Sequence, residues 1–253
     1  MEKYIDGCWK DLPEMSLSAI PTITQPKVRK WKAKVQITEK MIWDVFPAVN
    51  RRRGSENKQK NIKGFVYTFN KYADYFGVDT KLEIRHFLAQ LGHESDQFNA
   101  FLEYASGRAY EGRRDLGNTR KGDGARFRGR AGIQTTGRSN YKYTGREMAK
   151  LPFLTASERK LFENDGLLKN PKLLEDPVWG TLASFIYWTN KKDLNSLCKP
   201  DNQKVTIKRL SRRRGWYKYT CYPLEAITRK VNGGMNGYAD REAKYKKLTR
   251  MIA

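Results

Sequence analysis

Two glutamates, Glu94 and Glu103, lie nine positions apart in the stretch FLAQLGHESDQFNAFLEY, residues 87–104. In glycoside hydrolysis, one carboxylic acid protonates the leaving oxygen while a second carboxylate activates a water molecule across the cleft. On a continuous helix, nine residues span about 13.5 Å of rise and about 900° of rotation, which places the two side chains on opposite faces. The pair can therefore share a substrate only if the helix ends between Asp96 and Asn99.

Other roles compete with catalysis at these positions. A glutamate near the end of a helix is usually a solvated surface charge. His93 could be a general base or a metal ligand, but the other histidine, His86, lies seven residues away, which favours a hydrogen-bonded structural histidine and no zinc site. Glu111 and Asp115 have arginine neighbours that offer simple ion pairing. The segment GDGARFRGR (122–130) lacks the remainder of a P-loop, so nucleotide binding is not expected.

The helix that positions Glu94 is predicted from an apolar stripe that begins after Thr80. Its members, at helical spacing, are Ile84, Phe87, Leu88 and Leu91. Glu94 lies three positions beyond Leu91 on the same stripe. This partly apolar setting favours Glu94 over Glu103 as the general acid.

The remaining pattern predicts a mainly helical domain. Helices are expected near residues 38–46, from about residue 62, from Asp176 as N-cap with Pro177 at the first helical position, over residues 224–231, and from about residue 238. Residues 50–61 are predicted as a basic loop, and the glycine-rich residues 107–145 as a loop-rich middle without a long helix. No internal repeat is visible, and the alternation typical of strands is scarce.

The composition indicates a globular protein with a polyanionic partner. Its 253 residues include 50 Lys and Arg against 27 Asp and Glu, for a net charge of +23, and 39% of them are apolar. This charge favours nucleic acid, an anionic lipid surface, or a cell-wall polymer that carries carboxylates and phosphates. The cysteines Cys8, Cys198 and Cys221 form no disulfide framework or CxxC motif. Reduced thiols are expected, with a Cys198–Cys221 disulfide as the alternative in an oxidising compartment.

The N-terminal residues lack the basic and apolar regions of a signal peptide, which predicts a chain that starts in the cytoplasm. Residues 1–34 carry three prolines and little periodicity, and they are predicted as an extended arm before a domain at residues 35–253. The arm either docks to another protein or is a disordered tail. A basic stretch near residues 191–222 resembles an insertion in that domain.

Four long segments, in order, resemble the glycoside hydrolase family 19 group, the chitinase-like lysozymes common among bacteriophage endolysins. They are FLAQLGHES (87–95), GDGARFRGRAGIQTTGRSNY (122–141), LLKNPKLLEDPVWGTLASFIYW (167–188) and ITRKVNGGMNGYADREAKY (227–245). The segment AYEGRRDLGNT (109–119) resembles the bacteriophage branch. The resemblance covers about residues 37–253 and implies a lysozyme-like, family 19 chitinase-like helical domain with a catalytic cleft.

The resemblance also implies roles for individual residues. It makes Glu94 the general acid and Glu103 the general base of an inverting reaction. Matches to the family's cleft residues are Gln134, Thr136, Asn140, Asn232 and Arg241, with Thr136 where a hydroxyl helps to hold the attacking water and with His93 and Tyr141 as structural residues near the site. A guanidinium keeps a base ionised, whereas an acid must be shielded from it. Arg241 is therefore expected to serve the base.

Two departures from the family pattern accompany the match. The usual GRG reads GRA at residues 129–131, with Gly132 where an aliphatic residue is common, so an adjusted backbone is expected there. The sequence HESDQF places Asp96 two residues from Glu94, where an inward carboxylate would assist an acid.

The leading hypothesis is a glycosidase that hydrolyses the β-1,4 bonds of peptidoglycan with inversion, without a cofactor or metal, and as a monomer. Chitin is the alternative substrate. A non-catalytic wall-binding or virion module is the alternative from another class, and a nucleic-acid binder is the third, since the basic stretch 208–222 interleaves arginine with aromatic residues. The enzyme would attract anionic wall or outer-membrane polymers. It would reach the wall after holin-type release from the host cytoplasm or as part of a virion.

Overall fold

The computed structural model describes residues 34–47, 55–211, 213 and 215–252, and these residues are mainly helical, as predicted. The α-helices are α1 (Glu39–Val45), α2 (Ser55–Tyr72), α3 (Lys81–Glu94), α4 (Asp123–Arg126), α5 (Arg138–Ala149), α6 (Ala156–Lys160), α7 (Gly166–Lys169), α8 (Pro177–Ile186), α9 (Pro223–Asn232) and α10 (Tyr238–Met251). Two antiparallel strands, β1 (Val205–Ser211) and β2 (Gly215–Cys221), form a hairpin. A π-helical turn, Tyr187–Lys191, extends α8.

Helix α3 begins and runs as the sequence predicts. Thr80 is its N-cap and forms a capping box with Glu83, which satisfies backbone donors that the first turn leaves free. The four residues of the apolar stripe are all buried. The helix packs mainly against α10 and also contacts α9, and this packing brings Arg241 of α10 to Glu94.

Helix α8 supplies the other side of the core. The Asp176 carboxylate accepts hydrogen bonds from the backbone N–H groups of Val178 at 2.8 Å and Trp179 at 3.3 Å, which confirms the predicted N-cap. The helix packs on α2 so tightly that a Cβ atom on Gly64 would lie 2.5 Å from the Pro177 Cγ atom. Phe185 stacks on Phe87 of α3, with 5.0 Å between ring centroids, and joins the helices in one aromatic core.

Two loop predictions are wrong. Helix α2 begins at Ser55 and occupies part of the basic loop predicted at residues 50–61. Tertiary contacts stabilise this polar first part, because the Lys58 ammonium is buried and donates to the Phe46 carbonyl at 2.6 Å. Helix α5 begins inside the segment 107–145, which was expected to lack a long helix. Its Gly145 lets Leu167 of α7 approach to 3.0 Å of the position that a Cβ would occupy.

The basic stretch 191–222 contains the β-hairpin, which the sequence reasoning did not predict. Cys198 and Cys221 are free and buried, in agreement with the reduced thiols expected. Cys8 and, apart from Lys34, the predicted arm at residues 1–34 lie outside the described residues. None of the described helices is both long and apolar enough to cross a bilayer.

Acid should destabilise the protein through His86, which is buried on α3. Its ring stacks on Tyr245 at 4.5 Å, and neither ring nitrogen has a hydrogen-bond partner among the described residues. Burial, with a smaller effect of Arg85, lowers the pKa of His86 to about 3. The unfolded chain, with a histidine pKa near 6.5, then binds the proton more readily, so stability is complete above that value and is lost as the pH falls toward 3.

Urea unfolding between pH 6.5 and 5 tests this expectation, because carboxylates titrate mostly below that window. The free energy of unfolding should fall by as much as about 1.4 kcal/mol per pH unit. His86→Phe should remove that slope, while Ile84→Val, at a buried residue of α3 that does not titrate, should keep it. An unchanged slope in His86→Phe would contradict the role assigned to His86.

Candidate active site

The chain turns sharply two residues after Glu94, within the interval Asp96–Asn99 where the sequence predicts the break. Helix α3 stops at Glu94, and Asp96, Gln97 and Phe98 have φ angles of 48°, 57° and 68°, in the left-handed region. For residues other than glycine, this conformation costs roughly 1–2 kcal/mol each. The predicted break between Asp96 and Asn99 is confirmed.

Tertiary contacts hold this turn in place. The buried Phe98 ring meets the Phe65 ring edge-on at 4.9 Å, and its carbonyl accepts a hydrogen bond from the Asn61 side chain at 2.9 Å. The Ser95 hydroxyl also accepts from the Phe98 backbone N–H at 2.9 Å. Since Asn61 lies in α2, the unpredicted early start of that helix also supports the turn that brings the two glutamates together.

Glu103 is fixed by the segment that contains Gly129. Its backbone N–H donates to the Gly129 carbonyl at 2.9 Å, and the Gly129 N–H donates to Glu103 Oε2 at 2.9 Å. The Tyr110 hydroxyl donates to Glu103 Oε1 at 2.9 Å, and its own pKa is raised by burial and by this carboxylate. Both oxygens of Glu103 therefore have a donor, and each keeps a lone pair for a further hydrogen bond. A Cβ on Gly129 would lie 3.1 Å from Glu103 Oε2.

Glu94 and Glu103 line the same cleft, which has a volume of about 510 Å³. Of the other residues predicted for the site, His93, Gln134 and Thr136 also line it. Further lining residues that sequence reasoning did not assign to the site are Gln97, Ala100, Tyr104, Tyr110, Asp240 and Lys244, and Asp96 lines it too. Tyr110 falls within the segment AYEGRRDLGNT, and Asp240 precedes Arg241, so both lie in segments that the sequence had already singled out.

Arg241 binds Glu94, so the expected contact with Glu103 is wrong, and the assignment of acid and base to the two carboxylates stays a prediction. Its guanidinium is fully buried on α10 and donates to Glu94 Oε1 and to the side chain of Gln90. Gln90 and Glu94 are one helical turn apart on α3, and α3 packs along α10, so one arginine reaches both. No described residue donates to Glu94 Oε2, and the Glu94 side chain is 19% exposed. The second oxygen of Glu94 is thus available to a substrate.

No protein-family model matches the chain. A curated Haemophilus influenzae protein, described as a glycosyl hydrolase family 19 domain-containing protein, is 24% identical over 224 residues, which cover 74% of this chain and 88% of that protein. Chitinase C from Streptomyces griseus aligns with a TM-score of 0.49 and 20% identity over 85% of this chain and 92% of its own. A family GH19, class IV chitinase from Zea mays aligns with a TM-score of 0.54 and 18% identity over the same shares, 85% and 92%.

The chain has a family 19 chitinase-like fold. This confirms the fold that the four sequence segments implied.

His93 lies beside Glu94 in a hydrogen-bonded network. Its Nδ1 is 2.6 Å from Asp240 Oδ2, and Lys244 also pairs with Asp240. Burial alone would raise the pKa of Asp240, but the hydrogen bonds from Lys244 and His93 hold it below its usual range. Gly237, with φ of 70°, lets the ring approach so closely that a Cβ there would lie 2.1 Å from His93 Cε1. His93 is thus a hydrogen-bonded histidine with a fixed ring at the edge of the cleft.

Gln134 and Thr136 present polar atoms next to Glu103. The Thr136 hydroxyl donates to the Gln134 carbonyl at 2.9 Å. The Gln134 Oε1 atom is buried, has no hydrogen-bond partner among the described residues, and would lie 2.3 Å from a Cβ on Gly129.

Asn140, Tyr141 and Asn232 do not line the cleft as the described residues form it. Asn140 donates to the Thr136 carbonyl at 2.6 Å and accepts from Lys191, so it supports the Thr136 segment from behind. The buried Tyr141 hydroxyl donates to the Arg128 carbonyl at 2.8 Å. Asn232 is exposed at the end of α9.

The GRA departure has a visible backbone consequence. Ala131 adopts φ of 70°, a conformation that glycine would adopt without strain, and its N–H donates to the Phe101 carbonyl at 2.9 Å. Gly132 packs against α3, because a Cβ there would lie 2.9 Å from Leu91 Cδ1. Asp96, the other departure, is exposed and accepts a hydrogen bond from the Tyr104 hydroxyl at 2.9 Å. Among the residues described, no cluster of three or more metal-ligating side chains occurs.

Proposed function

We propose that the protein is a glycoside hydrolase that cleaves the β-1,4 bonds of peptidoglycan by an inverting acid/base mechanism. The observation that carries the proposal is that Glu94 and Glu103 line one cleft while different donors hold them. The likeness to a GH19 chitinase and to a glycosyl hydrolase family 19 domain-containing protein supports this class of reaction.

In this mechanism Glu94 is the acid and Glu103 the base. Arg241 holds Oε1 of Glu94, so the proton is delivered from Oε2 to the leaving oxygen. Tyr110 and the Gly129 N–H fix the two oxygens of Glu103, which accepts the proton of the attacking water through a remaining lone pair. The Thr136 hydroxyl lines the same cleft and would accept a hydrogen bond from that water without competing for its proton.

The net charge favours peptidoglycan over chitin. Chitin is a neutral polymer, whereas a bacterial wall carries carboxylates and phosphates that attract a protein with a charge of +23. This attraction raises the local concentration of enzyme and is screened by salt. The resemblance of residues 109–119 to bacteriophage endolysins supports the same substrate.

Mass spectrometry of digested peptidoglycan tests the proposal. New reducing ends with hydrated, not anhydro, sugars are expected, and NMR in the first minutes of digestion of a soluble oligosaccharide should show the inverted anomer. Turnover should be higher on peptidoglycan than on chitin. An anhydro product would identify a transglycosylase, and wall binding without any bond cleavage would identify a non-catalytic module; either result overturns the proposed function.

A further inference from the structure

The β-hairpin of strands β1 and β2 has one face fixed to the domain. Ile207 and Cys221 on this face are buried, and both strands contact α9. The Tyr219 hydroxyl donates to Glu225 Oε1 at 2.7 Å, and Arg229 donates to the same oxygen at 2.8 Å. Because side chains alternate along a strand, every second residue must point away from this anchored face.

The outer face consists of three cross-strand pairs, and all six of its residues are exposed. From base to tip they are Thr206 with Thr220, Lys208 with Lys218, and Leu210 with Trp216. Trp216 is 70% exposed and Leu210 64%, so both rank among the most exposed large apolar side chains of the described residues. An exposed apolar pair therefore lies near the turn of the hairpin, beside two cationic side chains.

Lys208 and Lys218 lie directly opposite each other, and their mutual repulsion is unfavourable unless an anion binds nearby. Like charges directly opposite each other in a hairpin repel, and no described residue forms an ion pair with either ammonium group. The surrounding sequence offers no internal relief, because residues 202–224 contain seven Lys and Arg and no Asp or Glu. An external anion would neutralise this repulsion.

We propose that the outer face of the hairpin docks on an anionic phospholipid surface. Trp216 and Leu210 would enter the interface between headgroups and acyl chains, where tryptophan and aliphatic side chains bury apolar area. Lys208 and Lys218 would lie at the level of the phosphates, where each basic residue contributes attraction to anionic lipid. The three arginines between the two strands in the sequence, residues 212–214, add further positive charge.

The exposed leucine favours lipid over single-stranded nucleic acid. Nucleic-acid binders stack bases on aromatic rings along a basic groove, whereas here the tryptophan's cross-strand neighbour is Leu210, an aliphatic residue equally open to solvent. Aliphatic area of this kind gains free energy by entering an apolar phase. A soluble anionic polymer offers charge but no such phase.

Vesicle sedimentation tests the proposal with the full chain. The wild type should bind vesicles that contain phosphatidylglycerol and should bind pure phosphatidylcholine vesicles weakly. Leu210→Ser/Trp216→Ser should lower the partition coefficient at least about tenfold, with Trp216→Phe retaining more than Trp216→Ser. Lys208→Gln/Lys218→Gln should lower it about 30-fold through the loss of two charges.

A matched control separates local contact from net charge. Lys63→Gln/Lys160→Gln changes the net charge equally on exposed residues of α2 and α6, and it should lower partitioning less than about threefold because these charges are not at the contact face. Hydrogen exchange should show protection of residues 205–221 on anionic vesicles only. Binding of a single-stranded oligonucleotide is measured with the same variants. If the hairpin variants bind anionic vesicles like the wild type, whether or not they bind the oligonucleotide less well, the lipid proposal is wrong. The hairpin variants do not change residues of the cleft, so they should cleave a soluble oligosaccharide at the wild-type rate. A failure of lipid binding is thereby distinguished from a failure of the proposed hydrolase activity.

Discussion

Glu94→Gln is expected to lower kcat on peptidoglycan by about 10²–10⁴-fold, the usual contribution of a general acid. Glutamine cannot deliver a proton, but it keeps the shape of the side chain and an oxygen that accepts from Arg241. The cleft should therefore still bind glycan, and KM should change little. The measurement is the steady-state rate of reducing-end release from wall fragments.

The leaving group distinguishes the acid from the base. An aryl glycoside with a weakly basic leaving group departs without protonation, so Glu94→Gln should retain most of its rate on that substrate. Glu103→Gln should be slow on both substrates, because water still lacks its base. This comparison matters because Arg241 contacts the predicted acid. The opposite pattern would exchange the two roles, and full activity of Glu94→Gln on the polymer would remove the assignment altogether.

Local signals in the sequence were sufficient for the main helices. The apolar stripe that begins after Thr80 gave the start of α3, and the predicted N-cap Asp176 gave the start of α8. The helix predicted over residues 224–231 agrees with the end of α9 at Asn232, where Gly233 follows with φ of 82°. The requirement that two carboxylates share a cleft gave the position of the turn after Glu94. Each of these inferences depends on residues close together in the chain.

The features that escaped sequence reasoning depend on distant contacts. No glycine marks the left-handed turn at Asp96, Gln97 and Phe98, because its support comes from Phe65 and Asn61 of α2. The β-hairpin was not predicted because both of its faces mix apolar or aromatic residues with basic ones. The sequence of the strands therefore lacks the alternation of polar and apolar residues that indicates a strand. The sequence likewise cannot say which carboxylate Arg241 meets, since that follows from the packing of α10 on α3.

Arg241→Met is expected to lower the free energy of unfolding by about 3 kcal/mol. Removing one partner of a buried ion pair costs about 3–5 kcal/mol, and the lower end applies because the Glu94 side chain is 19% exposed while Arg241 is fully buried. The change also leaves the Gln90 side-chain oxygen without this donor. Since Glu94 loses the group that orients it, kcat should fall by about 10²-fold with a smaller change in KM. Chemical denaturation and steady-state kinetics measure the two effects.

Two further variants separate the ion pair from the loss of a large side chain. The double variant Arg241→Met/Glu94→Gln should be more stable than Arg241→Met, because residue 94 is then neutral and no poorly solvated charge is left without a partner. It should remain inactive, because glutamine cannot donate the proton. Arg229→Met makes the same substitution in the pair with Glu225 on α9 and should cost less than Arg241→Met, because Arg229 is partly exposed. If the double variant is no more stable than Arg241→Met, then Arg241 acts through packing alone, and its role in orienting Glu94 is lost.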